Sequence, residues 1–103
     1  MSRFLVLYTG DQPAADRMSA GTPEQQAAGM QQWMAWAQRA GDALVDLGTP
    51  LSAASAGADP GLGGYSVLEA DSAAAVQALL EGHPHTAMGG TIDVYESLPL
   101  PGM

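Results

Sequence analysis

The chain has no cysteine, no lysine, a single phenylalanine and no long apolar run. Without cysteine there is no disulfide frame, no thiol nucleophile and no Cys-type zinc site. Without lysine the positive charge rests on Arg3, Arg17 and Arg39, too scattered to form a patch, against eleven acidic residues and a formal net charge of −8. Phosphate backbones and anionic lipids attract Lys/Arg clusters, so neither nucleic acid nor a membrane surface is expected as a partner. The first apolar run, Phe4 to Tyr8, falls far short of the roughly 18 residues a spanning helix needs and of the apolar stretch of a signal peptide. A soluble, cytoplasmic protein is the default expectation.

What is present suits a packed domain. A length of 103 residues is that of one domain, and 47% apolar with 14% charged residues belongs to a globule rather than a disordered chain. Much of the apolar content is alanine, so a few large side chains must complete the core. Arg3 to Thr9 predicts a strand, with Phe4, Val6 and Tyr8 on one face and Leu5 and Leu7 on the other. Gly10 to Gly21 reads as a loop. Thr22-Pro23-Glu24-Gln25 is a helix start, with Thr22 as cap, Pro23 at the first helical position and Gln25 closing a capping box. Apolar residues at Met30, Trp33, Ala37, Ala40, Leu44 and Leu47 recur in steps of three and four. That stripe predicts a long helix ending before Gly48 and Pro50. The rival reading stops the helix at Ala40, because Gly41 costs about 1 kcal/mol relative to alanine, and makes Ala43 to Leu47 part of a strand.

Pro50 to Ser55 is a weak second strand, and Gly57 to Gly64 a glycine-rich connection. Tyr65 to Ala70 is a stronger strand. Asp71-Ser72 then caps a second helix with apolar positions Ala75, Val76, Leu79 and Leu80, ended by Gly82 and Pro84. Thr91 to Leu98 alternates most cleanly: Ile92, Val94, Glu96 and Leu98 share one face, Thr91, Asp93, Tyr95 and Ser97 the other. The order βαββαβ predicts an α+β, ferredoxin-like domain, a four-stranded antiparallel sheet with two helices on one face. Two helices cover only one face, yet the first strand is apolar on both. Soluble monomers avoid such an exposed patch, so a second copy packed sheet against sheet is expected. The alternative cover is the chain's own long loops.

His83-Pro84-His85 is the only histidine pair. Both rings could reach one ligand from a turn after the second helix, as metal ligands or as bases near neutral pH. A metal site needs a third ligand, and none lies nearby in sequence. The pair could equally pack, or bond backbone, at the helix exit. Asp11 follows a strand end where clefts often form, but no carboxylate is singled out by spacing. Gly89-Gly90 permits unusual backbone angles or close approach. Trp33 belongs to the core stripe, while Trp36 faces a partner, a pocket or water. Met18, Met30, Met34 and Met88 fit core filling. No Ser-His-Asp spacing, nucleotide fingerprint or zinc pattern is present, and no cofactor or metal is expected.

Several stretches together resemble the YCII-related (DGPF) family. They are Gly64-Tyr65-Ser66-Val67-Leu68-Glu69-Ala70-Asp71-Ser72, Gly82-His83-Pro84-His85, Gly89-Gly90-Thr91-Ile92-Asp93-Val94 and Pro99-Leu100-Pro101-Gly102-Met103. Trp33-Met34-Ala35-Trp36 and Gly48-Thr49-Pro50-Leu51 add to the likeness. The resemblance implies a dimeric α+β barrel, two ferredoxin-like halves joined by their sheets, related to muconolactone isomerase-like enzymes. Members nearer the type protein carry a histidine in the first helix and an aspartate after it, proposed as an acid/base pair. Pro23 to Ala40 contains no histidine, and the DGPF tetrapeptide is absent.

Three functions follow as expectations. The first is a barrel that binds a small acidic or carbonyl-containing molecule between sheet and helix, near His83, His85, Tyr8, Trp33 and Asp11. The second is an isomerase or lyase in which His83 or His85 abstracts a proton beside a carbonyl. The third is a structural dimer without a ligand.

Overall fold

The computed structural model describes residues 1–13, 16 and 19–101. Strand β1 (Ser2–Thr9) leads to helix α1 (Pro23–Ala40), a 3₁₀ turn (Gly41–Ala43) and the short strand β2 (Leu44–Asp46). Strand β3 (Leu62–Ala70), helix α2 (Ala73–Leu80), the four-residue helix α3 (Pro84–Ala87) and strand β4 (Thr91–Glu96) complete the order. The sheet is four-stranded with order β2-β3-β1-β4, and every paired strand is antiparallel. This is the expected ferredoxin-like, α+β architecture. Among the described residues no helix is long and apolar enough to cross a membrane.

The caps form as their residue types predict. The Thr22 hydroxyl accepts from the Gln25 amide N–H at 3.2 Å, and Gln25 Oε1 accepts from Thr22 N–H at 2.9 Å. Ser72 Oγ accepts from Ala75 N–H at 3.1 Å to start α2. The core lies on one side of the sheet, where Phe4, Val6 and Tyr8 of β1 meet Leu68 and Ala70 of β3, Trp36 and Ala40 of α1, and Val76 and Leu80 of α2.

Four expectations need correction. The first helix ends at Ala40, so the long-helix reading fails and the rival ending holds. Gly41 takes φ +59° and ψ −131°, a turn that a residue with a Cβ rarely adopts, and Leu44 enters the sheet opposite Leu68. Pro50 to Ser55 is not a strand. Its place at the sheet edge is taken by β2, and only an isolated bridge joins Pro50 to Gly64. The helical stripe loses one member and gains another: Trp33, Ala37 and Ala40 join the core as expected, but Trp36 is fully buried beside them, whereas Met30 is 60% exposed. The first two turns of α1 lie almost wholly in solvent, so Met30 has nothing to pack on. Met34 and Met88 are exposed as well, which removes the core-filling role read for the methionines. Met18 and Arg17 lie outside the described residues.

The other sheet face is open. Leu5, directly opposite both Val67 and Tyr95, is 38% exposed, and Tyr95 is 58% exposed. Leu7 pairs with Tyr65 on the same face.

Candidate functional site

The end of β1 and the segment after α2 meet at one corner of the domain. Two side chains of α1 fix that segment by gripping the end of α2. Trp36 Nε1–H donates to the Leu79 carbonyl at 2.9 Å, and the Arg39 guanidinium donates to the Glu81 carbonyl at 2.6 Å. A helix's last carbonyls have no partner within the helix, so these bonds satisfy groups that otherwise need water.

His83 follows at once and is fully buried. Its Nδ1 accepts the His85 backbone N–H at 3.0 Å, which makes the imidazole the cap of α3. The Thr86 hydroxyl donates to the His83 carbonyl at 2.9 Å in the same turn. Three aromatic rings crowd the imidazole. Trp33 and Trp36 stand edge-on with centroids at 4.5 Å each, and Tyr8 stacks at 5.1 Å. Burial in this apolar cage, with the neighbouring His85 and Arg39 charges adding to it, lowers the His83 pKa to about 4. The ring is therefore neutral near pH 7. Its Nε2 has no hydrogen-bond partner among the described residues.

Tyr8 is buried beneath these rings. Its hydroxyl donates to Ser66 Oγ at 2.8 Å, and Ser66 donates to the Leu47 carbonyl at 2.7 Å. Burial raises the Tyr8 pKa to about 12, so this phenol stays protonated.

His85 occupies a different environment. Its Nε2 lies 2.9 Å from the Thr9 carbonyl, which can only accept, so Nε2 carries the hydrogen. The ring also rests against Gly90, where any Cβ would collide with Nε2. One side of His85 lines an open cleft of about 180 Å³ together with Gly10, Asp11, Met88, Gly89 and Gly90. Among the described residues no group of three His, Cys, Asp or Glu side chains stands close enough to hold a metal ion.

The five residues singled out in the sequence thus separate into two layers. His85 and Asp11 line the cleft. Tyr8 and His83 are sealed in the aromatic layer behind it, with Trp33 half-buried against both rings. Sequence reasoning missed Trp36 as the clamp on α2 and Ser66 as the buried partner of Tyr8. Ser66 carries a signal in retrospect, since it alternates with Leu68 and Ala70 on the core face of β3.

Among solved structures, the fold is similar to a 5-chloro-2-hydroxyhydroquinone dehydrochlorinase from Burkholderia phenoliruptrix AC1100, in complex with 2,5-dihydroxybenzoquinone. The match has a TM-score of 0.52 and 22% sequence identity, and it covers 88% of this chain and 90% of that chain. At this identity the likeness shows the fold. No curated protein matches the sequence. The YCII-related domain model matches residues 3–100, nearly the whole chain, and the protein belongs to that family.

Proposed function

We propose that this domain binds a small, carbonyl-containing molecule of single-ring size in the cleft between His85 and Asp11. The observation that carries the reading is the cleft itself: one imidazole and one carboxylate on a wall otherwise made of backbone and Met88. Ligand sites combine a concave surface with a few polar groups that fix orientation. Size narrows the class. A closed cavity of about 150 Å³ accepts benzene, so a cleft of about 180 Å³ suits one ring or a short chain. The dehydrochlorinase of similar fold is in complex with a single-ring dicarbonyl compound, which supports the same class.

Imidazole NMR tests this reading. Addition of 2,5-dihydroxybenzoquinone, or of members of a panel of small lactones and keto acids, should shift the His85 resonances and raise Tm. A panel that moves neither would overturn the proposal.

The open sheet face favours a second copy of the chain as partner. A groove of about 330 Å³ runs over it, lined by Arg3, Phe4, Leu5, Val67, Tyr95, Glu96 and Ser97. Covering Leu5, Leu7, Tyr65, Val67 and Tyr95 would remove apolar surface worth about 25 cal/mol per Å².

A further inference from the structure

We propose that His85 is a proton-transferring residue, whose Nδ1 takes a proton from the carbon beside the carbonyl group of the bound molecule. This rests on the reading that the cleft binds a carbonyl compound, and it separates the two histidines by what each has left to offer. An imidazole acts as a base through its unprotonated nitrogen. In His83 that nitrogen is Nδ1, already engaged by the His85 N–H, and the ring is sealed from solvent. His83 therefore cannot exchange a proton with a ligand.

In His85 the arrangement is inverted. Nε2–H is spent on the Thr9 carbonyl, so the lone pair sits on Nδ1. Nδ1 has no hydrogen-bond partner among the described residues. The residue as a whole keeps 6% of its surface exposed. The solvent-filled space that His85 lines is the cleft. The ring is held at its Nε2 end, by the bond to the Thr9 carbonyl and by the close approach of Gly90. Fixing one nitrogen on a carbonyl sets the tautomer and aims the other, the usual way a protein prepares a histidine base.

In the step, the C–H bond beside the carbonyl breaks and its proton moves to Nδ1. The electron pair of that bond passes into the carbonyl, giving an enolate. The imidazolium then returns a proton to the same carbon or to a conjugated one. The outcome is exchange with solvent or movement of a double bond, and no co-reactant is consumed. Asp11, the carboxylate on the same wall, is placed to accept a hydroxyl of the ligand.

The test uses α-angelica lactone, a single-ring compound with an acidic C–H beside its carbonyl, in deuterated water. Proton NMR follows loss of the C–H signal, and saturation transfer reports binding separately. The protein should accelerate exchange over buffer, and His85→Gln should lower the acceleration by about 100-fold or more, the usual worth of a general base. Glutamine can still donate to the Thr9 carbonyl, so binding and circular dichroism should persist. The exchange rate should also rise with pH along the His85 titration measured by NMR in the native protein. Bound lactone with equal exchange in native and variant protein, or a pH profile unrelated to that titration, overturns the role of His85 while leaving the binding reading intact. Absence of binding by both the lactone and 2,5-dihydroxybenzoquinone overturns the binding reading and this inference together.

Discussion

The side chain of His83 accepts a hydrogen bond from the backbone of His85, Nδ1 to N–H at 3.0 Å. Two residues apart in sequence, they share one turn and divide its tasks. His83 closes the turn from inside the core, and His85 projects from it to the Thr9 carbonyl and the cleft. Pro84 between them occupies the first helical position, where its missing N–H costs nothing.

Protonation of His83 is therefore expected to destabilise the fold. Its pKa is lowered from 6.5 to about 4 on folding. Below pH 6.5 the unfolded chain takes up a proton that the folded chain refuses, so this contribution makes stability fall as pH drops from 6.5 to about 4. Above 6.5 the group has no effect. The full change is on the order of 3–4 kcal/mol, at 1.36 kcal/mol per unit. Urea denaturation across this range should show the slope, and His83→Asn, which keeps an acceptor near Nδ1, should flatten it. Equal slopes in the two proteins would mean His83 titrates as freely as in the unfolded chain.

Gly90→Ala should unseat His85. The added Cβ would occupy the space of the imidazole, so the ring or the β4 entry must shift. Overpacking of this kind costs about 1–3 kcal/mol. The His85 resonances should move with the loss of the Thr9 bond. Gly57→Ala, at a position with open space around it, serves as control and should be nearly neutral. If both variants melt alike, the contact between Gly90 and His85 does not hold the ring.

Trp36→Phe should cost about 1–2 kcal/mol, because it removes the N–H donated to the Leu79 carbonyl at 2.9 Å and leaves that acceptor with only the longer 3.5 Å side-chain bond from Arg39. Equilibrium unfolding of the variant measures it. An unchanged midpoint would show that Arg39 or water replaces the indole.

The parts of this fold legible in the sequence are those in which one local rule acts alone. β1 was marked by its β-formers, α1 by the Thr22–Gln25 box, α2 by Ser72 and the Val76/Leu80 pair, and β4 by alternation. The stretch from Gly41 to Ser55 was misread because two rules conflict there. Leu44 and Leu47 continue the spacing of Ala40, so they extend a helical stripe on paper. The backbone turns at Gly41, and the same two leucines instead pack against the core from a three-residue strand and the chain after it. A strand that short leaves almost no alternation to detect. At the corner, the sequence marked His83, His85 and Asp11 by their position after a helix or strand. It could not separate the imidazole sealed among aromatic rings from the one that borders the cleft, since that depends on Trp33, Trp36 and Tyr8 arriving from distant segments.

Association is the last prediction. Leu5 stands on the face opposite the core, directly across from Val67 on one side and Tyr95 on the other. A charge placed at its centre should be costly only if that face is covered by another chain. Light scattering of the native protein at micromolar concentration should give twice the chain mass of 10.5 kDa. Each copy carries a formal charge of −8, so the two repel, and salt should tighten association by screening. Leu5→Glu should give a monomer with native circular dichroism, because the helices and the buried face of β1 are untouched. Native protein that remains monomeric in both low and high salt would show that the surface formed by Leu5, Val67 and Tyr95 serves something other than self-association.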